Sequence, residues 1–205
     1  MYDHGVSDLT AFVLAGGKST RMGSNKAFLR WGQGTLLTHA LQLVGSVAAN
    51  VWVVGDAKEF AGFGSVVEDV FRNRGPLGGI HAALSRSATE LNLMLAVDLP
   101  FLRRRFLHYL VERARESGAT VTVPRAGGRL QPLCATYHKE FAQRAEQSLQ
   151  AGKNKIDALF EPGSTRILEE EELALAGFSA GMFRNLNTPE QWHQAQGRPG
   201  QAPEF

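Results

Sequence analysis

Short, uninterrupted apolar runs alternate along the chain with segments of helical periodicity. Ala11-Phe12-Val13-Leu14 is the first run, and it ends abruptly at Gly16-Gly17. A run without polar alternation, closed by glycine, predicts a strand buried on both faces, as in a parallel sheet. The pattern returns at 51–54, closed by Gly55-Asp56, and more briefly at 66–67, ending at Glu68-Asp69. It is strongest at 91–97, which stops at Asp98-Leu99-Pro100. Residues 35–49 carry Leu36, Leu37, Ala40, Leu41, Val44 and Val47 at helical spacing, and 105–115 place Phe106, Leu107, Leu110 and Val111 on one face. A further helix is expected from Gly75–Gly79 to about Ser85, and another over 138–149; 120–123 and 130–137 read as strands.

This alternation predicts an α/β fold, a single-domain, mostly parallel doubly wound (Rossmann-like) sheet. The domain is expected over 10–196, with an N-terminal extension at 1–9 and a Gly- and Pro-rich tail at 197–205. Ligands of such sheets bind beyond the carboxyl ends of the strands, so the loops after Leu14, Val54, Val67 and Val97 should gather at one rim.

Composition narrows the function. With 205 residues, 43% hydrophobic and 20% charged, the chain is long enough to bury one core without staples. A single cysteine excludes an internal disulfide and a cysteine-rich zinc site. The balance of 22 Lys+Arg against 20 Asp+Glu, a net +2, argues against a general nucleic-acid or membrane surface. No apolar run reaches the ~20 residues of a membrane span. The N-terminus, MYDHGVSDLT, lacks the basic and apolar regions of a secretion signal, so a cytoplasmic location is expected.

The chemistry concentrates after the first strand. Residues 14–26, LAGGKSTRMGSNK, pack glycines and cations between a buried strand and the next element. Glycine allows close approach of a phosphate to the backbone, and Arg21 and Lys26 can supply fixed charge to its oxygens. The loop is neither a P-loop, since Ser24-Asn25 follow Gly23, nor a dinucleotide fingerprint, since Gly16 and Gly17 are adjacent.

LAGGKSTRMGSNK resembles the signature L-A-G-G-x-S-x-R-M-G-x-x-K of the molybdenum cofactor guanylyltransferases and their nucleotidyltransferase relatives. Gly75-Pro76-Leu77-Gly78-Gly79-Ile80, Asp98-Leu99-Pro100-Phe101, Gln131-Pro132-Leu133 and Asn185-Leu186-Asn187-Thr188-Pro189-Glu190 extend the likeness from about Thr10 to Trp192. The resemblance implies transfer of GMP from GTP to the terminal phosphate of molybdopterin, with release of pyrophosphate. It implies Arg21, Lys26 and Asp98 as catalytic residues and Leu14, Ala15, Gly16, Gly17, Lys26, Asp69 and Asp98 as GTP-binding. Asp98 would hold Mg2+, and Asn185 and Asn187 would lie on the pterin side. Cofactor-delivery or molybdoenzyme proteins would be its protein partners. The GTP-using members carry L-A-G-G where CTP-using relatives carry L-A-A-G, so Gly16 points to guanine. The family often has asparagine just after the second strand, where this chain has Gly55-Asp56.

Several readings stay open on the residues alone. Asp98 could instead cap the helix that follows. Glu68 is a second candidate beside Asp69, and Gly75–Gly79 could present backbone to the nucleotide or simply begin a helix. Asn185 and Asn187 could form a turn before Pro189. Arg103-Arg104-Arg105, and Lys153 with Lys155, could attract phosphate or be solvated; the Glu169–Glu172 run is expected to be a solvated edge, and Cys134 core. No histidine is assigned a catalytic role. Cytidylyl transfer, another phosphate acceptor, or a nucleotide-binding module without catalysis are the alternatives.

Overall fold

A computed structural model describes residues 8–16 and 25–186. In chain order its elements are β1 (Leu9–Leu14), β2 (Arg30–Trp31), β3 (Gly34–Thr35), α1 (Leu36–Gly45), β4 (Asn50–Val54), α2 (Ala57–Phe60), β5 (Ser65–Val67) and α3 (Pro76–Arg86). There follow β6 (Leu91–Ala96), α4 (Arg104–Ser117), β7 (Val121–Ala126), β8 (Arg129–Leu130), β9 (Cys134–His138), α5 (Phe141–Gln150), β10 (Thr165–Leu168) and α6 (Glu170–Leu175).

The main sheet has the order β10-β7-β9-β6-β1-β4-β5, with β8 paired to β7. β5, β4, β1 and β6 are mutually parallel, as are β7 and β10; β9 runs against both β6 and β7. The sheet is therefore mostly parallel, with β9 and the short β8 reversed, and β1, β4, β5 and β6 match the continuous apolar runs. Side-chain alternation along β1 divides the core. Leu9, Ala11 and Val13 face α1, α4 and α6, while Phe12 and Leu14 face α3 and α5. Helices cover both faces, which is why β1 and β6 are apolar on both, save for Thr10 and Asn92 near their entries.

From β1 the chain steps outward to β4 and β5, then returns to the other side of β1 as β6. The strand order reverses between β1 and β6, and such a reversal leaves a crevice above the carboxyl ends.

Some boundaries differ from the sequence reading. The run expected as one strand at 130–137 divides at Gln131–Leu133, because Pro132 has no N–H to give a ladder. The helix expected from 138 begins at Phe141, since His138 still pairs with Leu91 in the sheet. The helix expected to reach 49 ends at Gly45, and Ser46 Oγ turns back to the Leu43 carbonyl at 2.6 Å. β2, β3, α2, β8, β10 and α6 are too short to print a period in the sequence. No helix among the described residues is long and apolar enough to cross a membrane.

Candidate functional site

The crevice is built from three strand ends. Val97 N–H donates to the Leu14 carbonyl at 3.2 Å, so β6 and β1 stay paired to the point where both chains leave the sheet. The N–H groups of Ala15 and Gly16 both donate to the Val54 carbonyl, at 3.0 and 2.9 Å. These two amides hold the loop to β4 and are spent there, so the expectation that loop amides cradle phosphate does not extend to them. A Cβ built on Gly16 would lie 3.4 Å from the Gly55 Cα, an ordinary contact. The protein's own backbone thus has room for alanine at 16. Gly55 is different, because a Cβ there would enter the Phe60 ring, 2.7 Å from its Cδ2.

Asn25 and Lys26 reach the crevice through a local cap. The Asn25 side chain accepts from Ala27 N–H at 3.0 Å, closing a 3₁₀ turn over Lys26–Phe28. That turn sets the Lys26 ammonium 3.6 Å from the Asp98 carboxylate, with both side chains mostly buried. Positions 72 residues apart in sequence become neighbours because β1 and β6 are neighbours.

Asp98 does not cap a helix: α4 begins at Arg104 with Arg103 as its flanking residue. Burial pushes the Asp98 carboxyl upward from its ordinary value, and Lys26 and backbone hydrogen bonding only partly oppose it. One lysine leaves this carboxylate under-compensated, and a further cation would satisfy it. The turn that follows is pinned. Leu186 N–H donates to the Asp98 carbonyl at 3.2 Å, and buried His39 on α1 lies with Nε2 3.0 Å from the Pro100 carbonyl. A carbonyl only accepts, so Nε2 carries the proton; burial correspondingly lowers the His39 pKa, with the Pro100 bond opposing. Trp31 meets Phe101 edge-on, with centroids 5.4 Å apart.

Asp69 sits beyond β5, half-buried. Its carboxylate accepts from Phe71 N–H at 2.8 Å and lies against Gly78, where any Cβ would collide with it. Burial raises its pKa, offset by the Phe71 bond and by His81. Gly75, at φ 69° and ψ −163°, holds a conformation open essentially to glycine alone, and Pro76 then starts α3. The Gly75–Gly79 segment is therefore a helix entry and also the seat of Asp69. Glu68 instead accepts from Ala57 N–H at 3.1 Å, and Asp56 caps α2 through Lys58 N–H at 2.8 Å.

Leu14 and Ala15 are buried at the crevice wall, Gly16 is exposed at its lip, and Asn185 is exposed beside Leu186. Gly17, Arg21 and Asn187 lie outside the described residues. The Glu169–Glu172 run is not a solvated edge. Glu169 pairs with Arg125 at 2.8 Å, Glu170 accepts from Gly128 N–H at 2.7 Å, and Glu172 binds Arg166 at 2.6 Å and Tyr109 Oη at 2.9 Å. The alternation of charge around this edge makes it a set of struts between α6 and β7, β10 and α4. Arg105 likewise donates to the Ala176 carbonyl at 3.1 Å and covers the Phe178 ring, whereas the Lys153 and Lys155 positions are exposed. Cys134 is fully buried, which pushes its thiol pKa far up.

Asn25, His39 and Arg184 are site-side residues that motif reading missed. Asn25 has a cap signature and His39 is a polar residue on the apolar face of a helix; both signals were present. Arg184, whose guanidinium lies 4.4 Å from the Phe101 ring centroid, had none.

A doubly wound sheet whose reversal point holds a glycine-lined lip, a lysine and a desolvated aspartate defines a nucleotide-binding α/β protein. The family model described as MobA-like NTP transferase domain matches residues 11–173, and the chain belongs to that family of nucleotidyltransferases. A Pelotomaculum thermopropionicum protein named "Probable molybdenum cofactor guanylyltransferase" is 38% identical over 184 residues, covering 88% of each chain. The "Molybdenum cofactor guanylyltransferase" of Syntrophotalea carbinolica is 30% identical, over 90% of this chain and 89% of its own. Among solved structures, molybdopterin-guanine dinucleotide biosynthesis protein A from Archaeoglobus fulgidus superposes with a TM-score of 0.78 at 24% identity. That likeness covers 91% of this chain and 96% of the other, and it concerns the fold.

Proposed function

We propose that this enzyme transfers GMP from GTP to the terminal phosphate of molybdopterin, releasing pyrophosphate and forming the guanine dinucleotide of the molybdenum cofactor. The observation that carries the reading is the Lys26–Asp98 pair, 3.6 Å apart at the β1–β6 reversal point. The names of the relatives supply the acceptor and the base.

Asp98 is the residue that would hold Mg2+. Its carboxylate is desolvated and only partly compensated by Lys26, and no cluster of three or more ligand side chains exists among the described residues. A hard cation that takes one or two carboxylates and fills its shell with phosphate oxygens and water suits that donor set. When bound, magnesium supplies charge neutralisation to the triphosphate.

In the reaction an oxygen of the acceptor phosphate forms a bond to the α-phosphorus of GTP, and the bond from that phosphorus to the β-phosphate bridging oxygen breaks. A phosphate monoester with a second pKa of ~6 is already mostly dianionic at neutral pH, so no side chain need remove a proton. The task for the protein is to position two anions and offset their repulsion. Lys26 supplies that charge on the donor side, and the sequence motif assigns Arg21 the same task; Leu14, Ala15 and Gly16 offer the wall for the nucleotide, to which the motif adds Gly17, and Asp69 braces the segment facing it. The family resemblance assigns Asn185 and Asn187 to the acceptor.

The L-A-G-G motif, with Gly16 where CTP-using relatives carry alanine, favours GTP over CTP; the protein's own backbone does not demand glycine there, since a Cβ would lie 3.4 Å from the Gly55 Cα. Incubation with molybdopterin, magnesium and equal GTP and CTP, followed by mass spectrometry, tests the reading. The expected product is the guanine dinucleotide, accompanied by pyrophosphate. A cytidine adduct would transfer the protein to the CTP branch, and nucleotide binding without pyrophosphate would make it a binding module.

A further inference from the structure

The proposed reaction brings a triphosphate and a phosphate monoester together, and the cation pairs used for the first cannot also serve the second. Lys26 is already committed to Asp98 on the donor side. A second positive charge is therefore required on the acceptor side of the aspartate. Arg184 is placed to provide it. Its segment is tied to the site through Leu186 N–H, which donates to the Asp98 carbonyl at 3.2 Å. Its guanidinium lies over Phe101, three residues beyond Asp98, at 4.4 Å from the ring centroid. The residue is exposed, and no carboxylate pairs with it among the described residues. A guanidinium stacked on a ring loses freedom while its in-plane N–H donors stay available, which is the arrangement that grips phosphate through two parallel hydrogen bonds.

The platform beneath it is rigid. The Phe101 ring receives the Trp31 ring at 5.4 Å and 89°, and the preceding Pro100 carbonyl is held by buried His39 at 3.0 Å. The other arginines at this rim are less suited. Arg105 is engaged with the Ala176 carbonyl, and Arg103 lies outside α4 with no ring to order it among the described residues.

We infer that Arg184, ordered on Phe101, binds the phosphate monoester of the acceptor and orients it toward Asp98. This rests on the guanylyl-transfer reading and names a residue of the acceptor subsite, with Phe101, Trp31 and His39 as positioning residues behind it. The charge acts on acceptor binding alone, so donor binding should be independent of it.

The test uses the full chain and two titrations: molybdopterin followed by pterin fluorescence, and GTP followed by calorimetry. Arg184→Ala is expected to weaken acceptor binding about tenfold, the scale of one charge-assisted contact, while GTP affinity stays within about twofold. Arg184→Lys should recover only part, since it keeps the charge and loses the planar stack. The dependence of acceptor affinity on salt should also become shallower in Arg184→Ala. Wild-type acceptor affinity in Arg184→Ala would overturn the inference, as would an equal loss of GTP and acceptor binding, which marks a general structural effect. A wild-type protein that binds GTP but no pterin would overturn the transfer reading itself, and this subsite with it.

Discussion

At the scale of single residues, Asp98 carries a cost in stability that its proposed role in holding the metal would explain. Its carboxylate sits where burial outweighs the attraction of Lys26, and its pKa is raised. A carboxyl raised in the folded state costs nothing below its unfolded pKa of ~3.9, and its ionisation destabilises the fold as pH rises through the folded value. Asp98→Asn removes that ionisation without removing the side chain. We expect the enzyme carrying this substitution to melt above wild type at pH 7–8, with the difference fading as pH falls into the carboxyl range. Turnover should fall about a hundredfold or more, the scale of losing one electrostatic contact to a developing charge. Calorimetry across pH together with pyrophosphate release checks both halves. Transfer at near wild-type rate would remove Asp98 from the chemistry. The sequence made Asp98 conspicuous by its place between an apolar strand and a proline. It did not reveal whether the side chain capped a helix; the start of α4 at Arg104 decides that.

At the scale of elements, the two ends of the strands do different work. At the carboxyl ends, β1 and β6 carry Gly16 and Asp98. At the opposite ends, fully buried Asn92 ties the strand entries together. Its Nδ2 donates to the carbonyls of Thr89 and Glu90, both at 3.1 Å, and Thr89 Oγ1 donates to Thr10 Oγ1 at 2.8 Å. Asn92→Leu would remove both donations and the acceptor of the Ser87 hydroxyl, leaving the Glu90 carbonyl only its Lys139 N–H, and is expected to cost about 2–4 kcal/mol in urea unfolding. Its kcat per folded molecule should match wild type, because the network lies a full strand away from the crevice. A lost kcat at unchanged stability would contradict that separation. β1 and β6 were legible because both of their faces are buried, which erases alternation and leaves a continuous apolar signal; β4 and the edge strand β5 are only partly buried and show as shorter apolar runs closed by polar residues. β10 and α6 were not legible: each is too short to print a period, and their charged residues find partners only in tertiary structure. Arg166 pairs with Glu172, and Glu169 with Arg125. A sequence shows such charges but not their pairing, so the acidic run looked solvated.

At the scale of the whole molecule, the order of the strands creates the site. Residues 14–16 and 98 share no local sequence context, yet the return of the chain from β5 to the far side of β1 sets their strands side by side. Periodicity predicts that such strands exist, and the right-handed connection rule restricts how they join. Neither fixes the 3.6 Å approach of Lys26 to Asp98, which also needs the Asn25 cap and the turn it closes. The same order leaves α1 free to reach across the sheet and hold Pro100 through His39. Donor residues, the shared aspartate and the Phe101–Arg184 platform thus belong to one rim, the proposed meeting place of GTP and its acceptor.

The most direct test of that claim is a crystal structure of the protein with a non-hydrolysable GTP analogue and Mn2+, recorded with manganese anomalous scattering. The predicted result is an anomalous peak on the Asp98 carboxylate and a triphosphate lying along the crevice between the ends of β1 and β6, within reach of Lys26. A triphosphate bound away from that crevice, or a manganese ion bridging its phosphates with Asp98 untouched, would contradict it.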